Sequence, residues 1–252
     1  MKKITIVIPA LNEELGIGAV IKEIPIKILN DMGFETEIMV IDNGSKDKTK
    51  NIAREHGAVV IVQPIRGYGN AYKAGFANAN GEVIATGDAD LTYPFSILPK
   101  VLRRMKRENL DFINTNRLKT INTKVMSKSH IFGNYLLTTI MKILFKTPFR
   151  DSQSGMWIFR TEIWDKLNVS SSGMPFSQEL KIEAYIKGFK CAEIPIIYRA
   201  RAGKEKLNTF HDGIGNLSQL FYKKIKISSS ITTHRITYQT KFALDKLLSL
   251  LT

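Results

Sequence analysis

Short apolar runs and helical stretches take turns through residues 1–115, and this alternation constrains the fold more than any single motif. Ile4–Pro9, Glu37–Ile41, Ala58–Val62, Val83–Ala85 and Asp111–Asn114 read as strands. Between them, Glu14–Ile24 sets Ile17, Val20, Ile21 and Ile24 at helical spacing, and Pro25 ends that stretch. Lys46–His56 reads as a second helix stopped by Gly57, with Asn70–Asn78 and Pro94–Arg107 as the third and fourth. Strands alternating with helices predict a parallel sheet covered on both faces and right-handed crossovers. Ligands of such sheets sit beyond the carboxyl ends of the strands. The loops due there are Pro9–Glu13, Asp42–Lys48, Arg66–Asn70 and Asp88–Tyr93, and each carries polar or glycine residues.

The strand at Val83–Ala85 runs into Gly87-Asp88-Ala89-Asp90. In extended chain, residues i and i+2 share a side, so Asp88 and Asp90 can aim both carboxylates at one point. Two convergent carboxylates repel unless a cation lies between them. Mg²⁺ or Mn²⁺ suits the place, held by the acids while substrate phosphates supply other ligands. The plainer reading of a lone D-x-D is a helix cap plus a turn aspartate. Asp42, at the tip of the second predicted strand, can hydrogen-bond a ribose hydroxyl or a base. No G-x-G-x-x-G follows the first strand, where the chain reads Pro9-Ala10-Leu11-Asn12-Glu13, and a dinucleotide fold is disfavoured. Arg66-Gly67-Tyr68-Gly69 offers glycines for close backbone approach and a charge for a phosphate. Taken together, these loops predict a nucleotide-diphosphate site with a metal that neutralises the leaving group.

The formal charge is +14, and the excess lies beyond residue 100. A polyanionic partner follows: nucleic acid, an anionic membrane surface or a phosphorylated substrate. A nucleic-acid-binding module is disfavoured, because the best motifs are acidic strand ends that would repel a phosphate backbone. The single cysteine, Cys191, cannot form an internal disulfide, which favours a reducing compartment. Ile4–Ile8 is too short for the core of a signal peptide. No apolar run reaches the roughly 18 residues of a bilayer-spanning helix.

Past residue 115 the pattern loosens. Ile131–Phe145 is apolar on most sides, with Asn134, Thr138 and Lys142 as a thin polar stripe. It reads either as a buried core helix or as one lying on a membrane. Asp151-Ser152-Gln153-Ser154-Gly155 reads as a polar turn, Met156–Phe159 as a strand, Gln178–Lys187 as a helix and Cys191–Tyr198 as a strand. A basic loop runs from Arg199 to Leu207. Asp212–Ile227 reads as a helix with Ile214, Leu217, Phe221 and Ile225 on one side and Lys223, Lys224 and Lys226 near its end, suited to anionic lipid. Phe242–Leu251 is apolar. His130 and His211 read as surface residues rather than bases.

Eight blocks carry a family resemblance: Ile8–Glu13, Ile41–Thr49, Arg66–Tyr72, Gly87–Pro94, Asn116-Arg117, Asp151–Gly155, Gln178-Glu179 and Arg201–Leu207. The set resembles the family-2 glycosyltransferases of GT-A fold, and among them the dolichyl-phosphate sugar synthases of the dolichyl-phosphate mannose synthase-like type. The resemblance implies an α/β nucleotide-sugar transferase fold with a mostly parallel mixed sheet, helices on both faces and C-terminal amphipathic helices. It implies a transferase domain over 1–213, with a nucleotide-binding half to 115 and an acceptor half after it, and an amphipathic tail over 214–252. Pro9, Ala10, Asn12, Glu13, Asp42, Asn43, Arg66, Gly69, Asp88, Ala89 and Asp90 would bind a GDP- or UDP-linked hexose. Asp88 and Asp90 would hold Mg²⁺ or Mn²⁺, with Thr92 standing where some members place a third ligand. Arg117 and Arg201 would join the acids as catalytic residues. Arg117, Ser154, Glu179, Arg201 and Lys206 would bind the acceptor, dolichyl or another polyprenyl phosphate. Trp157 stands where related sequences often carry arginine, and Glu205 where serine is common.

An inverting, metal-dependent transfer at the cytoplasmic face of a membrane, by a peripherally bound protein, is the expectation. The alternative is transfer to a hydroxyl of a glycan, lipid or protein. A hydroxyl nucleophile wants a general base. A lipid phosphate, with a second pKa of about 6, is already largely ionised and needs docking cations instead.

Overall fold

The computed structural model describes residues 2–121, 123, 125–203 and 212–229. The elements run β1 (Lys2–Ala10), α1 (Ile17–Glu23), α2 (Ile26–Asp31), β2 (Phe34–Asp42), α3 (Thr49–Glu55), β3 (Val59–Val62), α4 (Tyr68–Asn78) and β4 (Val83–Thr86). They continue with α5 (Leu98–Glu108), β5 (Phe112–Asn116), α6 (Lys128–Phe145), β6 (Trp157–Arg160), α7 (Phe176–Ile186) and β7 (Cys191–Pro195). A last helix, α8, covers 212–229.

The strands form one sheet in the order β3-β2-β1-β4-β6-β5-β7. β1 pairs in parallel with β2 and β4, and β2 with β3. β6 runs antiparallel to both of its neighbours, β4 and β5, and makes the sheet mixed. Alternate residues of β1 enter opposite cores, as a strand's period of two requires. Ile4, Ile6 and Ile8 pack with α1 and α5, whereas Val7 packs with α4, α6 and α7. Burial on both faces explains why the central strands read as unbroken apolar runs.

All seven strands stand where the sequence predicts them. One helix, α2, was not expected: Pro25 ends the α1 stretch and also serves as the N-cap of α2, a place proline tolerates because no backbone donor is needed there. β1 lies between β2 and β4, so the strand order reverses beside it, and a crevice opens between the loops that follow β1 and β4. This switch point brings Pro9–Glu13 next to Asp88–Tyr93.

Two helices beyond residue 115 show what the sequence left open. α6 is part core, through Leu137, Met141 and Phe145, and part exposed, with Phe132 at 70% and Ile143 at 72% exposure. α8 turns most of its apolar side outward, as a lipid-facing helix would, and packs by another side. Leu220 and Lys223 are buried, while Ile214, Phe221 and Ile225 face solvent. The cause is electrostatic. Glu179 and Glu183, one turn apart on α7, are buried, and Lys223 Nζ lies 2.9 Å from the first and 2.6 Å from the second. Buried carboxylates need a cation, and α8 supplies it by facing its lysine inward. Lys224 Nζ donates to the Leu144 carbonyl at 2.8 Å, tying α8 to the end of α6. Residues 214–229 of the expected tail are therefore packed onto the domain; Phe242–Leu251 lies outside the described residues.

Candidate active site

β4 ends at Thr86, so Asp88 and Asp90 lie in the loop beyond it rather than along the strand. Asp90 is 1% exposed. Its Oδ1 accepts the Thr92 amide at 3.1 Å and the Thr92 hydroxyl at 2.6 Å. The Thr92 hydroxyl thereby orients Asp90. Asp90 Oδ2 is buried and makes no directed hydrogen bond, yet it lies 2.5 Å from the Arg201 guanidinium. Arg201 also stands 3.9 Å from Glu13.

Asp88 keeps partial solvent contact deep in the cleft. Desolvation first and the Asp90 charge second push its carboxyl up to about 7, against the pull of Arg201 and Arg117. Close behind it lies Gly155, whose amide donates to the Tyr93 hydroxyl at 2.6 Å. A Cβ at Gly155 would clash with the Tyr68 hydroxyl at 2.5 Å and rest against Asp88 Oδ1 at 3.4 Å.

A cavity of about 300 Å³ opens over these acids, lined by Pro9, Ala10, Glu13, Asn43, Tyr68, Asp88, Ala89 and Asp90 among others. Asp42, Asn12, Arg66 and Gly69 do not line it. Asp42 is fully buried and accepts the Gly44 and Ser45 amides, each at 3.3 Å. Asn12 accepts the Lys46 amide at 2.8 Å. Both shape the loops that present Asn43. Arg66 is exposed and donates to the Gly44 carbonyl at 3.3 Å. The glycines near it serve the protein's own packing: a Cβ at Gly69 would fall 2.5 Å from the Ser171 carbonyl. Gly67 (φ +136°) meets the Ser172 carbonyl in the same way.

A second cavity of about 260 Å³ lies between the first half of α6 and the start of α8. The two chambers share Arg117, Gln153, Met174, Tyr198 and Arg201 as a common wall. Arg117 is 7% exposed and locked by a fork to Asp151, with Nε at 2.8 Å and Nη2 at 2.9 Å. Burial opposes the Arg117 charge, but Asp151 outweighs it and holds the guanidinium above its ordinary range. The Tyr198 ring lies under the guanidinium at 5.3 Å. His130 is half-buried and lines this second chamber, so it is not the plain surface residue the sequence suggested.

Two expected acceptor residues lie elsewhere. Glu179 is 1% exposed, and its oxygens take the Ser170 amide at 3.1 Å, the Ser171 amide at 2.8 Å and Lys223. It is a structural anchor for α8, away from both chambers. Ser154 is fully buried and its hydroxyl meets Thr115 Oγ1 at 2.7 Å. Trp157, the departure from related sequences, is core, and its indole donates to the Ser154 carbonyl at 2.7 Å. Lys206, Glu205 and His211 lie outside the described residues. Asp151, Gln153, Met174 and Tyr198 went unnoticed as site residues. Asp151 and Arg117 are 34 positions apart in sequence, and nothing in their spacing announces the pair.

Among the described residues, no group of three or more histidine, cysteine, aspartate or glutamate side chains is placed to hold a metal. Asp88 and Asp90 would supply two carboxylates at most and leave the remaining positions to phosphate and water, which suits Mg²⁺ or Mn²⁺. Asp90 Oδ2, buried, without a hydrogen bond and facing a positive charge, fits a cation ligand.

The family model described as Glycosyl transferase family 2 matches residues 5–167. The chain is 38% identical over 212 residues to Low-salt glycan biosynthesis hexosyltransferase Agl6 of Haloferax volcanii, covering 83% of this chain and 51% of that protein. It therefore spans about half the length of that relative. To the Dolichyl-phosphate hexose transferase of the same organism it is 33% identical over 211 residues, covering 83% of this chain and 89% of that one. Among solved structures, glucosyl-3-phosphoglycerate synthase of Mycobacterium tuberculosis, in complex with Mn²⁺, UDP and phosphoglyceric acid, is similar with a TM-score of 0.70. Identity there is 21%, over 88% of this chain and 78% of the other, a likeness of fold. The expected α/β fold of GT-A type, with a mostly parallel mixed sheet, is the one found.

Proposed function

The chain belongs to glycosyl transferase family 2, and from that premise we propose that it moves a hexose, with inversion, from a GDP- or UDP-linked donor to dolichyl or another polyprenyl phosphate at a membrane surface. One observation carries this reading: the chamber over the acid pair and the chamber beside α6 meet at a wall bearing two arginines. The names of the relatives, a hexosyltransferase and a dolichyl-phosphate hexose transferase, support it.

In this reading Pro9, Ala10 and Asn43 flank the nucleoside, and the diphosphate points toward Asp88 and Asp90. These acids would hold Mg²⁺ or Mn²⁺, which when bound neutralises charge on the leaving diphosphate. Arg117, fixed by Asp151, presents its charge at the junction and docks the acceptor phosphate. The acceptor phosphate has already lost its proton at neutral pH, its second pKa being about 6, so the chain need not remove one. Attack from the α6 side, opposite the diphosphate, inverts the sugar carbon.

Membrane contact falls to the exposed apolar residues of α6 and α8: Phe132, Leu136 and Ile143 on the first, Ile214, Phe221 and Ile225 on the second. Exposed Lys128, Lys142 and Lys226 on the same helices suit an anionic leaflet. Among the described residues, no helix is long and apolar enough to cross a membrane. In this reading the described helices would make that contact peripherally, on the cytoplasmic side.

His130 in the second chamber favours one other reading, transfer to a hydroxyl with His130 as base. A screen of labelled nucleotide sugars, with dolichyl phosphate as sole acceptor, tests the proposal. Label passing from one donor into lipid is the expected result. Transfer only to hydroxyl acceptors, falling about 10²-fold in His130→Asn, overturns it.

A further inference from the structure

Lys181, on α7, is fully buried behind the cleft and belongs to neither chamber. Its Nζ donates to the Ser152 carbonyl at 2.7 Å, the Ser154 carbonyl at 2.8 Å and the Ser177 hydroxyl at 2.9 Å. Its three hydrogen-bond acceptors are all neutral, and its ammonium also lies 5.5 Å over the Trp157 ring. Burying a lysine costs stability unless the donors it brings are needed. The donors here go to a single loop. That loop, residues 151–155, touches both halves of the site. At one end Asp151 takes three bonds from Arg117: the Nε and Nη2 fork and the backbone amide at 2.9 Å. At the other end Gly155 gives its amide to Tyr93 and lies close behind Asp88. Between them Gln153 reaches the shared wall.

The geometry points to Lys181 as a positioning residue for Arg117: it pins the carbonyls of Ser152 and Ser154 so that Asp151 holds the guanidinium at the junction of the two chambers. The inference rests on the proposed acceptor role of Arg117. Ser152 has few substitutes for this contact. Its carbonyl otherwise meets the Ser177 hydroxyl at 3.4 Å, whereas the Ser154 carbonyl keeps the Trp157 indole and Ser177 at 2.9 Å. Loss of Lys181 therefore loosens the loop on the Asp151 side first. The donor side stays held by Gly155, whose carbonyl accepts the Thr86 hydroxyl at 3.0 Å and the Tyr72 hydroxyl at 3.3 Å. Burial also lowers the Lys181 pKa well below its usual value, against the pull of Asp151.

Two measurements on Lys181→Met test this. The first is substrate-free: the Nε–H resonance of Arg117 in ¹⁵N-arginine-labelled protein. Its hydrogen exchange should quicken about tenfold or more, the scale of one lost charged hydrogen bond. The second is kinetic: KM for farnesyl phosphate should rise about tenfold while KM for the nucleotide sugar stays within about twofold. Ser177→Ala, which removes one acceptor of Lys181 without touching its charge, should show a weaker form of the same split, and it serves if Lys181→Met fails to fold. An unchanged Arg117 resonance overturns the inference, as do donor and acceptor constants worsening together in step with melting temperature. Wild-type protein that never transfers to a polyprenyl phosphate sinks the proposed acceptor instead, and the resonance then decides the positioning role alone.

Discussion

Arg201 Nη2 sits 2.5 Å from Asp90 Oδ2, on the one oxygen of that acid left without a hydrogen bond. If Asp90 holds the metal as proposed, a guanidinium and a divalent cation would compete for the same atom. Arg201→Gln should bind Mn²⁺ about tenfold more tightly in the absence of nucleotide, the scale on which an adjacent opposite charge shifts a carboxylate equilibrium. The same variant should lose acceptor use more than nucleoside affinity. Electron paramagnetic titration of free Mn²⁺ reads the first effect, and unchanged or weaker metal binding would contradict the competition.

Asp88→Ala and Asp90→Ala should each reduce transfer by at least about 10²-fold, since charge stabilisation of the leaving group is lost. The fold should persist, because the loop keeps its packing under Phe95 and Tyr93, both core residues. Near-normal turnover in both variants would refute metal-assisted transfer by this pair.

Metal binding should depend on pH through Asp88. Its carboxyl is pushed up to about 7 by burial and by Asp90, so below that pH it is protonated and a metal must displace the proton. Apparent Mn²⁺ affinity should rise about tenfold per pH unit up to about 7 and level off above it. Calorimetry in buffers of different ionisation enthalpy counts the released proton. A flat profile from pH 5.5 to 8, on the order of the range where such a group titrates, would show that Asp88 is ionised throughout.

Lys223→Met leaves Glu179 and Glu183 buried without their shared cation. Breaking a buried pair from one side costs about 3–5 kcal/mol. Denaturant unfolding should show a loss of that order, while nucleotide affinity of the folded fraction stays unchanged. A drop in acceptor use with normal stability would return Glu179 to the site.

Phe132→Glu combined with Ile225→Glu places charge on the exposed faces of α6 and α8. Sedimentation with anionic vesicles should fall about tenfold or more, as lost apolar insertion and added repulsion act together. Transfer to a short, soluble polyprenyl phosphate should persist. Equal sedimentation of the variant and the parent protein would remove these helices from the membrane contact.

Each strand of the sheet and the acid pair at its rim could be read from the chain alone. Buried parallel strands demand continuous apolar runs, and a pair of acids just past a strand end stands out in the chain, so both leave a local trace. The glycines of Arg66–Asn70 show the limit of such traces. Glycine reports that something comes close, and what comes close within the chain is the Ser171-Ser172 backbone. Sequence periodicity likewise marked the apolar side of α8 but not which way it faces.

What the order of residues determined by itself was the alternation of strand and helix, and with it a sheet with its loops on one rim and the delivery of Asp88 and Asp90 to that rim. What only the tertiary structure decided was which charges meet: Arg117 with Asp151, Lys223 with Glu179 and Glu183, Arg201 with Asp90. Periodicity is a local property, set by the geometry of one element. Pairing of buried charge is settled between elements far apart in the chain, by which cation can reach an acid that burial has cut off from water.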